Sequence, residues 1–165
     1  MKNAKQGNVT LRPARVEDAA AMSDLALRSK GHWPYSADFL EACRGELTYT
    51  ANDIESETFH FVVAQRGDSL CAFYGLSVVA QSVAEIEALF VDPDCIGQGL
   101  GGQLWRHAVA LAHDIGITTI TIQSDPYAEP FYAAMGAVTT GSKPSGSVPG
   151  RVLPLMRFSV PVPAA

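Results

Sequence analysis

The chain has 165 residues, 47% of them hydrophobic and 18% charged, enough for one well-packed core and too few for two comfortable domains. A formal net charge of −5 argues against nucleic acid or an anionic membrane as a partner, since both need basic patches. No apolar run approaches the roughly 18 residues of a membrane span, and residues 1–8 lack a signal-peptide core, so a cytoplasmic protein is expected. Cys43, Cys71 and Cys95 are odd in number and widely spaced, which predicts reduced thiols, with neither a disulfide framework nor a metal site.

In chain order, residues 9–13 read as a strand. A helix follows, announced by Glu17-Asp18, carrying Ala20, Met22, Leu25 and Leu27, and ended by Lys30-Gly31. His32, Trp33 and Tyr35 make an aromatic loop, after which Ser36 can cap a second helix holding Phe39, Leu40, Cys43 and Leu47. Residues 50–58 read as a polar connection. Residues 59–64 and 70–78 form a hairpin, and its Arg66-Gly67-Asp68 turn needs glycine and aspartate for geometry rather than for adhesion. The next strand, residues 84–91, carries Glu85 and Glu87. A period of two predicts both carboxylates on one face, with Leu89 and Val91 beyond them.

Four of the 14 glycines then fall at Gly97, Gly99, Gly101 and Gly102, where the strand hands over to a helix beginning near Gly101. The first N–H groups of a helix have no partner inside it and sit at the positive end of its dipole. Glycines there remove the Cβ atoms that keep a bulky anion away, so the turn is a candidate diphosphate cradle. The helix shows an apolar stripe of Leu104, Ala108, Leu111 and Ile115, widened by Trp105, Val109 and Ala112, and Gly116 closes it. Residues 117–122 are rich in β-branched side chains and make a strand, completing a strand-helix-strand unit. A helix bearing Phe131 and Tyr132 comes next. Residues 141–150 are dense in Ser, Gly and Pro and read as a loop over the active site, ahead of a last strand at 151–160 and a loose tail at 161–165.

Here the chain resembles the GNAT superfamily of N-acetyltransferases. The family signature, Arg or Gln, two residues, Gly, one residue, then Gly or Ala, is met by Ile96-Gly97-Gln98-Gly99-Leu100-Gly101, with Ile96 replacing the usual Arg or Gln. A second segment, Asn-x-x-Ala-x-x-aliphatic-Tyr followed by Gly-Phe, is matched by Ala128, Phe131, Tyr132 and Gly136. Asp125 replaces the Asn and Ala137 the Phe. The resemblance implies an α/β (α+β) fold, with a mixed, mostly antiparallel sheet of six or seven strands flanked by about four helices. It also implies a single domain over residues 1–165, acetyl-coenzyme A as co-substrate and a possible homodimer.

The same resemblance implies roles. Gly97, Gln98, Gly99, Leu100, Gly101 and Gly102 hold the cofactor's diphosphate, and main-chain groups of Leu89 and Val91 bind its pantetheine arm. Asp125, Ala128 and Phe131 lie along the arm, where Asp125 accepts a hydrogen bond from an amide. An amine must be neutral to attack a thioester, so a base is useful, and Glu85 matches the base of some members, with Glu87 as a relay through water. Tyr132 matches the usual general acid. His32, Trp33 and Tyr35 lie where the family often builds its acceptor wall. Together with Arg151 they suit an amine that also bears a carboxylate, such as an amino acid or peptide end.

Two other readings compete. Gly97-Gln98-Gly99-Leu100-Gly101-Gly102 also satisfies the dinucleotide pattern Gly-x-Gly-x-x-Gly, but the preceding strands read as hairpins, and five residues separate Val91 from the first glycine. The departures at Ile96 and Asp125 leave room for a regulatory acyl-coenzyme A sensor. Retention of Glu85 and Tyr132 favours turnover to a small-molecule or peptide amine.

Overall fold

The computed structural model describes residues 8–146 and 148–161; the tails expected at 1–8 and 161–165 fall outside it except for Asn8 and Pro161. Alternating apolar side chains build β1 (Thr10–Pro13), β2 (Phe59–Arg66), β3 (Ser69–Ala80) and β4 (Val83–Val91), each antiparallel to the one before it in the sheet. After α4 (Leu100–Asp114) come β5 (Thr119–Gln123), α5 (Glu129–Ala134), β6 (Val138–Pro144) and β7 (Val152–Ser159). The seven strands form one sheet in the order β1-β2-β3-β4-β5-β7-β6, and only β4 and β5 run parallel. This is the mixed, mostly antiparallel sheet that the sequence implied, and its run of consecutive hairpins is not the alternating order of a dinucleotide fold.

Both faces are covered. Against one lie α4 and α5, through Leu100, Leu104, Trp105, Ala108 and Tyr132; against the other lie α1 (Ala19–Gly31) and α2 (Ala37–Cys43), through Met22, Leu25, Ala26 and Cys43. The α4 stripe is as read except at its end, where Ile115 is 40% exposed because Gly116, at φ +84°, has already turned the chain.

Two features position the site. First, β4 and β5 pair only from Val83 to Ile86 against Thr119 to Ile122, after which β4 continues beside β3 alone. Second, Gly75 pairs with Ala88 and Leu76 with Ile86, so Glu87 is an unpaired bulge residue. The bulge reverses the alternation. Ala84 and Ile86 pack on the α4 side, whereas Ala88 and Phe90 pack on the α1 side, leaving Leu89 and Val91 on the α4 side. The single face predicted for Glu85, Glu87, Leu89 and Val91 is therefore broken at Glu87, because one extra residue shifts the period.

Gly75, beside the bulge, leaves room for two aromatic rings of β2. A Cβ there would lie 2.6 Å from Phe61 Cε1 and 2.8 Å from Phe59 Cε1, in two stacked rings. Gly75→Ala should lower stability by about 1–3 kcal/mol, read from the urea midpoint, because overpacked rings have nowhere to move.

Local differences from the sequence reading have local causes. Residues 51–55 are helical (α3, Ala51–Glu55) rather than a polar connection, since the Thr50 hydroxyl accepts from the Asp53 amide and the Asp53 carboxylate accepts from the Thr50 amide. Helix α2 ends at Cys43, so Leu47 lies beyond it yet is still buried. Residues 141–144, expected in a loop, extend β6 by pairing with β7.

Candidate active site

The glycine turn is held at its start by the buried Asp92, whose carboxylate accepts from the Asp94 amide and contacts the Arg28 guanidinium. Gly97 and Gly99 have φ of +85° and +76°, a region that side-chain-bearing residues rarely enter. Gly99 is the N-cap of α4 and supplies no capping side chain, so the first-turn amides have none over them. A Cβ at Gly101 would sit 3.2 Å from the Phe131 ring, so this glycine lets α5 approach the start of α4. A bare, positively polarised helix end of this kind fits a diphosphate.

Beside the turn, a cavity of about 450 Å³ occupies the gap where β4 leaves β5. It is lined by Leu89, Val91, Gly101, Ala128, Phe131 and Tyr132. Glu46, Tyr49, Glu87, His32, Trp33 and Arg151 line it as well. The Tyr132 side chain is buried, and burial raises its pKa above the ordinary phenol value, so it holds its proton through the neutral range.

Asp125, Ser124 and Lys30 also line the cavity, and Asp125 is the hub of a charged cluster. Its Oδ2 lies 2.6 Å from Lys30 Nζ and 2.9 Å from Arg151 Nη2, and its carboxylate accepts from the Tyr35 hydroxyl at 2.8 Å. The Tyr127 amide donates to Oδ1 at 2.9 Å. Burial opposes ionisation of Asp125, but Lys30, the Tyr127 amide and the Tyr35 hydroxyl together outweigh it and hold the carboxyl below its ordinary value. Arg151 also donates to the Tyr35 hydroxyl at 2.9 Å and lies over the Phe39 ring. Above the cluster Trp33 stacks on Tyr127, with centroids 5.0 Å apart and planes 2° apart.

The two glutamates separate. Glu85 accepts a hydrogen bond from Gln123 Nε2 at 2.9 Å and does not line the cavity, whereas Glu87 does. Burial first, then the negative charges of Glu85 and Asp53, raise the Glu87 pKa above the ordinary glutamate value.

Of the residues singled out from sequence, Glu87, Leu89, Val91, Gly101, Asp125, Ala128, Phe131, Tyr132, His32, Trp33 and Arg151 share this cavity. Glu85, Tyr35, Gly97, Gln98, Gly99, Leu100 and Gly102 do not line it; Tyr35 is tied to it through Asp125 and Arg151. Sequence reasoning missed Lys30, Glu46, Tyr49 and Tyr127. Only Tyr127 carried a local signal, lying inside the Asp125-to-Tyr132 segment.

A sheet parted between two parallel strands, with a glycine turn at one mouth of the gap, is the geometry the resemblance implied for an acyl-coenzyme A-dependent acyltransferase. A family model described as an acetyltransferase (GNAT) domain matches residues 24–148. A peptidyl-lysine N-acetyltransferase, YjaB, of Salmonella typhimurium (strain LT2) is 34% identical over 125 residues, 75% of this chain and 81% of that protein. The chain belongs to the GNAT acetyltransferase family and is an enzyme that moves an acetyl group from acetyl-coenzyme A to an amine.

The fold recurs in solved structures. A PaiA N-acetyltransferase from Thermoplasma acidophilum, in complex with coenzyme A, superposes with a TM-score of 0.74 at 18% identity, over 92% of this chain and 99% of that one. The N-acetylglutamate synthase of Neisseria gonorrhoeae, complexed with coenzyme A and N-acetyl-glutamate, gives 0.70 at 20% identity, over 95% of this chain and 36% of that one. Among the described residues no helix is long and apolar enough to cross a membrane, and no group of three or more His, Cys, Asp or Glu is arranged to hold a metal.

Proposed function

We propose that this enzyme, acting as one acetyltransferase domain, transfers the acetyl group directly to a primary amine of a peptide or small molecule while both substrates are bound. The observation that carries the reading is the sharing of one cavity by Gly101 and Val91, next to the glycine turn, with Tyr132, Glu87 and Trp33. The glycine turn holds the diphosphate, and main-chain groups of Leu89 and Val91 hold the arm. The Leu89 N–H steadies the carbonyl oxygen as charge develops on it. Glu87 removes the amine's proton through water, its raised pKa bringing it toward the working range of a base. Tyr132, buried and protonated, gives a proton to the departing sulfur.

A covalent acyl-cysteine finds no support in the chemistry of Cys95. Burial, aided by the neighbouring Cys71, pushes its thiol up to about 11, so little thiolate is present at neutral pH. The carboxylates of Glu46 and Glu87 in the cavity suit an ammonium group, and the Salmonella relative is named for peptidyl lysine. A lysine side chain is therefore the first acceptor to try.

Initial velocities measured by thiol release, with peptide lysine, polyamines, aminoglycosides and free amino acids, should give intersecting double-reciprocal lines for the best acceptor. Parallel lines, with acetylated enzyme in intact-mass spectra, overturn direct transfer.

A further inference from the structure

The glycine turn that receives the diphosphate is poor in local positive charge. From Asp92 to Trp105 the chain contains two aspartates and no Lys, Arg or His; the first base is Arg106. Asp92 already contacts Arg28, whose charge is engaged at the start of the turn. Backbone dipoles and the Arg106 guanidinium, which folds back to within 3.3 Å of where a Gly102 Cβ would sit, then face a dianionic group with Asp94 nearby.

The structure brings a second cation from elsewhere. Arg66 ends β2 at the Arg66-Gly67-Asp68 hairpin, 32 residues before Gln98, and its Nη2 donates to Gln98 Oε1 at 2.5 Å. Its charge also reaches Cys95, where it opposes the upward push of burial on the thiol. Arg66 thus reaches the turn at Gln98, close enough for its charge to act on Cys95 as well. A guanidinium carries five N–H donors in a planar fork suited to phosphate oxygens. Gln98, with its main chain between the positive-φ Gly97 and Gly99, orients that fork over the turn.

We propose that Arg66 is a diphosphate-binding residue for acetyl-coenzyme A, supplied to the turn by the β2–β3 hairpin of the same chain and oriented by Gln98. The inference rests on the turn being the diphosphate site. It gives the Arg66-Gly67-Asp68 hairpin a role beyond chain reversal, because Gly67, at φ +58°, lets the chain turn immediately after Arg66 and keeps the guanidinium close to the α4 end. It also places the positive charge off the segment that carries Ile96, an apolar side chain 49% exposed.

Calorimetric titration with coenzyme A and 3′-dephospho-coenzyme A, and thermal-shift titration with pantetheine, test this on the full chain. R66A should weaken the two diphosphate ligands alike, by roughly ten- to hundredfold, with R66K intermediate and pantetheine binding unmoved. R66Q replaces R66A should the latter fail to fold. Equal loss across all three ligands marks a merely structural hairpin and overturns the proposal. So does no loss for coenzyme A, or a loss seen with coenzyme A but not its 3′-dephospho form. Failure of the wild type to bind coenzyme A removes the turn as the diphosphate site as well, a result distinct from an insensitive R66A.

Discussion

Glu87→Gln should lower kcat/KM at neutral pH by about 10²- to 10⁴-fold, the range over which a positioned base contributes, while leaving coenzyme A affinity near that of the wild type. Glutamine keeps the size of the side chain and cannot take a proton. The pH profile gives a finer test. A base works deprotonated, so kcat/KM should rise with pH through the Glu87 pKa, which burial, Glu85 and Asp53 hold above the ordinary glutamate value. Removing the charge of Glu85 removes one of those upward pushes, so E85Q should move the acid limb to lower pH. An E87Q enzyme with the wild-type plateau, or an E85Q enzyme with none, would reverse the assignment of base.

Asp125→Ala should destabilise the protein by about 3–5 kcal/mol, because it leaves two mostly buried cations facing each other without an anion. Lys30 and Arg151 are 14% and 15% exposed, too little for water to replace the carboxylate. Asp125→Asn keeps an acceptor for Tyr35 and the Tyr127 amide but loses the charge, so it should fall between wild type and D125A in urea denaturation. The pH dependence follows from the depressed pKa. A carboxyl held below its unfolded value stabilises the fold above that value and loses the contribution as pH falls through the folded one. The advantage of wild type over D125N should therefore be full at neutral pH and shrink below about pH 4. A constant difference from pH 7 to pH 3 would show that the cluster's charge does not stabilise the fold.

What could be read in advance follows the range of the interactions. The glycine turn, the α4 stripe and the β-branched strand declare themselves within a few residues, and all form close to where they were expected. The β4 bulge does not, because it is a matter of register with the neighbouring strand, and the unpaired Glu87 puts Leu89 and Val91 on the opposite face from the one they would have shared with Glu85. The Asp125 cluster was less legible still. Lys30 is 95 residues from Asp125 and Arg151 is 116 from Tyr35, so an aspartate read as a partner for the cofactor arm is also the shared counter-ion of Arg151, which was assigned to the acceptor, and of Lys30, which was not singled out. Helix α3 was the opposite case: Thr50 and Asp53 announce its start at a spacing of three, and the segment's polarity hid it.

The gap between β4 and β5 is fastened at two places. Four backbone pairs close its base, and the bonds of Asp125 to Lys30 and Tyr35 tie the chain just beyond β5 to α1 and the loop after it. Its gauge is thus fixed as the chain folds, and much of the entropy of aligning thioester and amine is surrendered then rather than at each turnover.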